Sequence, residues 1–164
     1  MKMKHTILAA LLATGLLGSS SKAFAGATTT QTVTYEVQAI DELAVTGTPS
    51  LTVHTATAGS APDAVTDNTA TYAITTNETN RKITGAIDSN MPSGVTLSVN
   101  LGAPAGATSA GKQSLSSTPV DLVTGISTLN ESGKSISYEL VATSAAGVVA
   151  SASKTVTLTI TAGS

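Results

Sequence analysis

Apolar and polar residues alternate with a period of two along much of this chain, starting at Gln31. Val33, Tyr35, Val37 and Ala39 alternate with Thr32, Thr34, Glu36 and Gln38, which gives a strand one apolar and one polar face. Tyr72 and Ile74 alternate with Thr71, Ala73 and Thr75, and Val95, Leu97, Val99 and Leu101 with Thr96, Ser98 and Asn100. Ile136, Tyr138, Leu140 and Ala142 stand opposite Ser135, Ser137, Glu139 and Val141, and Val156, Leu158 and Ile160 opposite Thr155, Thr157 and Thr159. Shorter apolar runs at Leu43 to Val45, Leu51 to His54, Ile83 to Ile87 and Val120 to Val123 add strand candidates, with Val148-Val149 as one more.

Turn residues separate these runs: Thr48-Pro49, Ala61-Pro62-Asp63, Asn77 to Asn80, Met91-Pro92-Ser93-Gly94, Gly102-Ala103-Pro104 and Glu131-Ser132-Gly133. After residue 25 no stretch sustains apolar residues at helical spacing, and Thr, Val and Ser dominate. The fold class expected is all-β, an antiparallel β-sandwich of immunoglobulin-like or jelly-roll-like type. A closed barrel shares the same pattern. Short, unequal strands and a long Ala/Gly/Ser connection from Gly102 to Gly111, suited to crossing between sheets, favour the sandwich.

The first residues follow another plan. Met1-Lys2-Met3-Lys4-His5 is basic, Ile7 to Leu17 is mainly apolar, and Ala23-Phe24-Ala25 ends the stretch with small residues at the two positions a signal peptidase reads. The apolar run falls short of the roughly 20 residues a membrane span needs. A signal peptide over residues 1–25 is expected, cleaved after Ala25 or else after Ala27, which leaves residues 26–164 as a single domain without a transmembrane segment. No cysteine follows to carry a lipid anchor.

Composition narrows the chemistry. From Gly26 on, Arg81, Lys82, Lys112, Lys134 and Lys154 face ten acidic residues, a formal charge of −5. Such a surface repels phosphate backbones, so no nucleic-acid partner is expected. The absence of cysteine removes disulfides and thiolate metal sites. Tyr35, Tyr72 and Tyr138 are the only aromatic residues after Phe24, too few for a sugar-stacking or base-stacking platform.

No enzyme constellation emerges, and catalytic residues, cofactor and metal are each expected to be absent. His54 is the only histidine after His5, which removes histidine clusters and reads as a rim residue. Asp41-Glu42, Asp63, Asp67 and Asp88 fall at expected turns and strand ends, where solvated acids belong, rather than in a pair built for glycoside hydrolysis. Asp63 to Asp67, and Asp88 with Asn90, supply oxygens of the kind calcium takes, without the spacing of an EF-hand loop. No nucleophile elbow or phosphate loop is present. Asn77-Glu78-Thr79 and Asn130-Glu131-Ser132 match a glycosylation sequon, for which turn chemistry in expected loops is the better explanation. Arg81-Lys82 and Lys154 read as charges that guard strand ends.

The polar faces of the strands consist of Thr and Ser with very few charges, and the segments Gln31 to Ala39 and Lys154 to Thr161 are long and regular. Edges of that kind pair readily with another chain. The closing run Ser135 to Thr143, the Gly-containing loop at Gly147 and the terminal Lys154 to Thr161 resemble the secreted subunits of bacterial fimbriae and the spore-coat-U type of pilus and coat proteins. The resemblance implies an immunoglobulin-like sandwich and assembly by donor-strand exchange. It covers about the last third of the chain, and this sequence departs from it in having no cysteine pair and no aromatic residue closing the C-terminal strand.

The function expected is that of a non-enzymatic secreted or cell-surface structural or adhesive subunit, located outside the cell, on its surface or in the periplasm. Its partners would be itself or related surface subunits, through the segment carrying Val33, Tyr35, Val37 and Ala39. The alternative is a small-ligand or calcium-dependent binding module.

Overall fold

From Asp41 on, where Val, Leu, Ile and Tyr alternate with Thr and Ser, the chain forms antiparallel ladders, as suits a pleated backbone with one apolar face. A computed structural model describes residues 26–163, so the expected signal peptide over 1–25 lies outside the described residues. The chain divides into two units, residues 1–36 and 37–164. In the first, the described residues 26–36 are exposed and carry no regular structure. All strands of the described residues belong to the second.

Nine strands and one 3₁₀ turn, Ser144–Ala146, make up the regular elements of the described residues. In chain order the strands are β1 (Asp41–Thr46), β2 (Val65–Thr76), β3 (Arg81–Ile87), β4 (Val95–Leu101), β5 (Thr108–Ser109), β6 (Gln113–Ser114), β7 (Val120–Ile126), β8 (Leu129–Ala142) and β9 (Val156–Ala162). They form a five-stranded sheet in the order β1-β2-β8-β4-β6 and a four-stranded sheet in the order β5-β7-β3-β9. Every pairing is antiparallel. The all-β class is therefore as expected. No described helix is long and apolar enough to cross a membrane.

One apolar core draws on both sheets. Ala70, Tyr72, Ile74, Leu97, Val99, Leu101, Ile136 and Tyr138 come from the larger sheet, and Ile83, Ile87, Leu122, Val123 and Ile126 from the smaller. Leu97 and Tyr138 are buried, on the faces that the alternation assigns them. The stretch Gly102 to Ala107 crosses from β4 in one sheet to β5 in the other, which fits the expected role of the Gly102 to Gly111 connection.

Four expectations need correction. Residues 31–39 form no strand in spite of their alternation, and neither do Leu51 to His54 nor Val148-Val149. Asp67 lies inside β2, at a bulge between Asp67 and Ala70, where its Oδ1 accepts the Thr69 N–H and hydroxyl at 2.8 and 2.6 Å. The turn-like Glu131-Ser132-Gly133, together with the second sequon, lies inside β8, where Gly133 at φ +66° accompanies a register shift against β2. Such a bulge needs an extra residue and a left-handed backbone, for which turn residues are suited. Finally, β9 begins two residues after Lys154, whose ammonium donates to Ser89 Oγ at 2.7 Å and to the Asn90 carbonyl at 3.2 Å.

Candidate functional site

The edges of the two sheets set up the surface that matters. β1 pairs only with β2, and β9 only with β3. β5 and β6, the other edge strands, are two residues each. The core-facing residues of the long edges are incompletely covered: Leu43 on β1 and Val156, Leu158 and Ile160 on β9 are half-buried, although they pack against the core. Ile83 and Ile87, on the neighbouring β3, are buried.

Just before β1 lie the residues singled out by their alternation. Val33 is 73% exposed, Tyr35 89% and Val37 79%, and Ala39 is exposed too. Large apolar side chains normally lose about 1.5–3 kcal/mol by staying in water, so a run of them at strand spacing is uncommon in a finished surface. The hydrogen bonds of the segment begin only at Gln38. There the Asn77 side chain acts as a clasp: its Nδ2 donates to the Gln38 carbonyl and its Oδ1 accepts the Ile40 N–H, each at 2.8 Å. The Asn77 N–H also donates to the Ile40 carbonyl at 3.2 Å. Asn77 thus serves the turn, as expected for the first sequon, and fixes the point where the segment enters β1.

Asp41, the first residue of β1, ties that entry to the other sheet. It accepts the Thr76 hydroxyl at 2.7 Å and is paired with Arg81 of β3, whose guanidinium also approaches Glu78 at 3.7 Å. Arg81 therefore joins two sheets rather than only guarding a strand end. Lys82 pairs with Asp121, Lys112 with Glu139, and Lys134 with Glu131, all between 2.8 and 3.0 Å.

These pairings leave the acids dispersed. Among the described residues, no group of three His, Asp or Glu side chains stands ready to hold a metal ion. Asp63 and Asp67 are not brought into a shared site, and Asp88 accepts its neighbour's N–H from Ser89 at 2.9 Å while Asn90 Oδ1 accepts that of Ser117. Hydrogen bonds from the Thr69 hydroxyl and the Ser50 and Thr69 N–H groups lower the Asp67 pKa. Glu131 is lowered by its hydrogen bonds to Lys134 and to the Ala105 N–H. Both oxygens of each acid already have a hydrogen-bond or ion-pair partner within the chain.

His54 lies on the rim of a groove of about 740 Å³, bounded by residues 51–56 on one side and 143–154 on the other. Its Nδ1 lies 3.0 Å from the Thr52 carbonyl. Leu51, Val53, Met91, Val95 and Leu140 make the floor apolar, and Lys154 is the other ionisable group in the lining. No carboxylate lines it.

No protein-family model, curated protein or solved structure matches the chain. What the molecule does rests on its own geometry: an unpaired alternating segment, two long edge strands, β1 and β9, that lie close to each other, and a groove without acids.

Proposed function

We propose that this chain is a non-enzymatic structural or adhesive subunit, exported by its N-terminal leader to the cell surface, the periplasm or the medium, and that its two sheets form a sandwich. It works by donating residues 33–39 as a strand to the sheet of a partner subunit. The observation that carries the reading is the exposure of Val33, Tyr35 and Val37, an apolar strand face that no strand of this fold takes up. An added strand gains main-chain hydrogen bonds along its edge and buries alternate side chains. The fimbrial and spore-coat-U resemblance of the C-terminal third points the same way. Dispersed carboxylates, several of them in ion pairs, and a single histidine among the described residues give hydrolytic chemistry no support.

Expression in a cell that makes the chain tests this. The parent should accumulate in high-molecular-mass surface material, and a chain with Tyr35→Asp and Val37→Asp should appear there as free monomer. Incorporation of both chains to the same extent refutes strand donation.

A second reading, a small-ligand module, has one observation in its favour, the acid-free groove between residues 51–56 and 143–154. Its lining suits an apolar or anionic ligand better than calcium. Titration with calcium and with a fatty acid, followed by His54 and Met91 NMR signals, separates the two ligand types.

A further inference from the structure

We propose that the groove between residues 51–56 and 143–154 binds a free fatty acid, its alkyl chain along the apolar floor and its carboxylate on the ammonium of Lys154. The inference rests on the small-ligand reading of that groove, adds the ligand class and its anchor, and is independent of strand donation.

The floor continues the core. On the inner face of the larger sheet, the last buried residues toward this end are Leu97 of β4 and Tyr138 of β8. The same alternation carries on to Val95 and Leu140, which are half-buried and line the groove. Leu51 and Met91 pack against the core from outside the strands and are half-buried as well. Concave apolar surface of this kind is completed by a ligand with an apolar body, and a volume of about 740 Å³ falls within the range of small-molecule pockets, about 300–1,000 Å³.

Charge decides the head group. Among the described residues, Arg81, Lys82, Lys112 and Lys134 each pair with a carboxylate, and Lys154 is the one lysine or arginine that does not. Its ammonium donates to two neutral acceptors, Ser89 Oγ and the Asn90 carbonyl, which fix it at the wall of the groove and take two of its three N–H donors. The third donor remains for an anion, and no carboxylate of the chain lines the groove to compete for it. A half-buried ammonium without a counter-ion, beside an apolar floor, matches one negative charge joined to an apolar chain.

The test separates the head group from the tail. At neutral pH, and below micelle-forming concentrations, the purified chain is titrated by calorimetry with dodecanoate, dodecanol and dodecyltrimethylammonium, which share one alkyl chain and differ in charge. Dodecanoate should bind about tenfold more tightly than dodecanol, and the cation more weakly than either. Lys154→Met should lower the affinity for dodecanoate to that for dodecanol and leave the latter unchanged. Val53→Asp, in a lining segment outside the strands, should abolish dodecanoate binding with the melting temperature unchanged.

Equal affinity of the parent chain for dodecanoate and dodecanol overturns the carboxylate anchor and leaves an apolar small-ligand site standing. Preference for the cation overturns it too. Full binding by the Val53→Asp chain places the ligand elsewhere and overturns the groove. Failure of all three compounds to bind overturns the fatty acid and removes the small-ligand reading with it. The comparison of head groups is made on the unsubstituted protein, so it decides the matter even if Lys154→Met does not fold.

Discussion

Tyr72 shows how much a single residue holds here. Its ring is buried in the core, and its hydroxyl crosses to donate to the Gly102 carbonyl at 2.6 Å, fixing the start of the crossover between sheets. Burial, and then the charge of Glu131, push its pKa up to about 12 from 10.0. Burial raises Tyr138 as well. A folded-state pKa above the unfolded value means that stability is complete below pH 10 and is lost as pH rises toward 12. The melting temperature should fall across that window, and Tyr72→Phe should make the fall shallower. At neutral pH the same substitution removes one hydrogen bond and leaves a carbonyl without its partner, a cost of about 1–3 kcal/mol by denaturant titration. Leu97→Ala, which opens a cavity between the sheets, should cost about 2–5 kcal/mol. Gly47 sets a different limit. At φ +100°, a Cβ there would lie 2.8 Å from Ala70 Cα, so Gly47→Ala should destabilise the turn out of β1 and with it the β1–β2 edge.

At the scale of elements, the clasp of Asn77 on Gln38 and Ile40 separates a fixed strand from a free segment. Asn77→Ala removes both side-chain bonds, and the Ile40 amide should then exchange with solvent much faster while the amides of β2 and β8 keep their protection. Uniform loss of protection would show that the clasp supports the whole fold. Period-two alternation located β4, β9 and the second halves of β2 and β8, and shorter apolar runs located parts of β1, β3 and β7, since their apolar faces meet in one core. It misplaced Asp67 and Glu131-Ser132-Gly133, because turn residues inside a long strand signal a bulge as readily as an end. It also made a strand of residues 31–39, because alternation records a face suited to burial, whereas a strand needs a neighbouring backbone to pair with and this segment has none in the fold. The same limit applied to the candidate site. Val33, Tyr35, Val37 and Ala39 stood out from pattern alone, whereas Asn77 as a clasp and the half-buried side of β9 depend on pairings far apart in sequence, which composition and spacing do not encode.

For the whole molecule, charge and ion demand are the remaining levers. Asp41, Asp121, Glu131 and Glu139 are each matched by Arg81, Lys82, Lys134 or Lys112, and the Asp67 oxygens are taken by Ser50 and Thr69. A chelator should therefore leave the melting temperature unchanged, and a fall of many degrees would place a cation at the heart of the fold. Assembly should respond to salt in a definite direction. From Gly26 onward each copy carries a formal charge of −5, so copies repel one another at low ionic strength. The segment proposed to be donated, residues 33–39, carries one charge, Glu36, and otherwise offers Val33, Tyr35, Val37 and Ala39 to its partner, so apolar burial rather than ion pairing would hold the contact. Screening with a Debye length of about 10 Å at 0.1 M and 3 Å at 1 M removes the repulsion and leaves apolar burial and main-chain hydrogen bonding intact. The concentration at which the chain associates, measured by sedimentation, should fall as salt rises over that range. Glu36→Gln should lower it further at low salt and make little difference at high salt. Dissolution of the assemblies by salt would mean that opposite charges hold them, and the apolar face of Val33, Tyr35 and Val37 would no longer explain the contact.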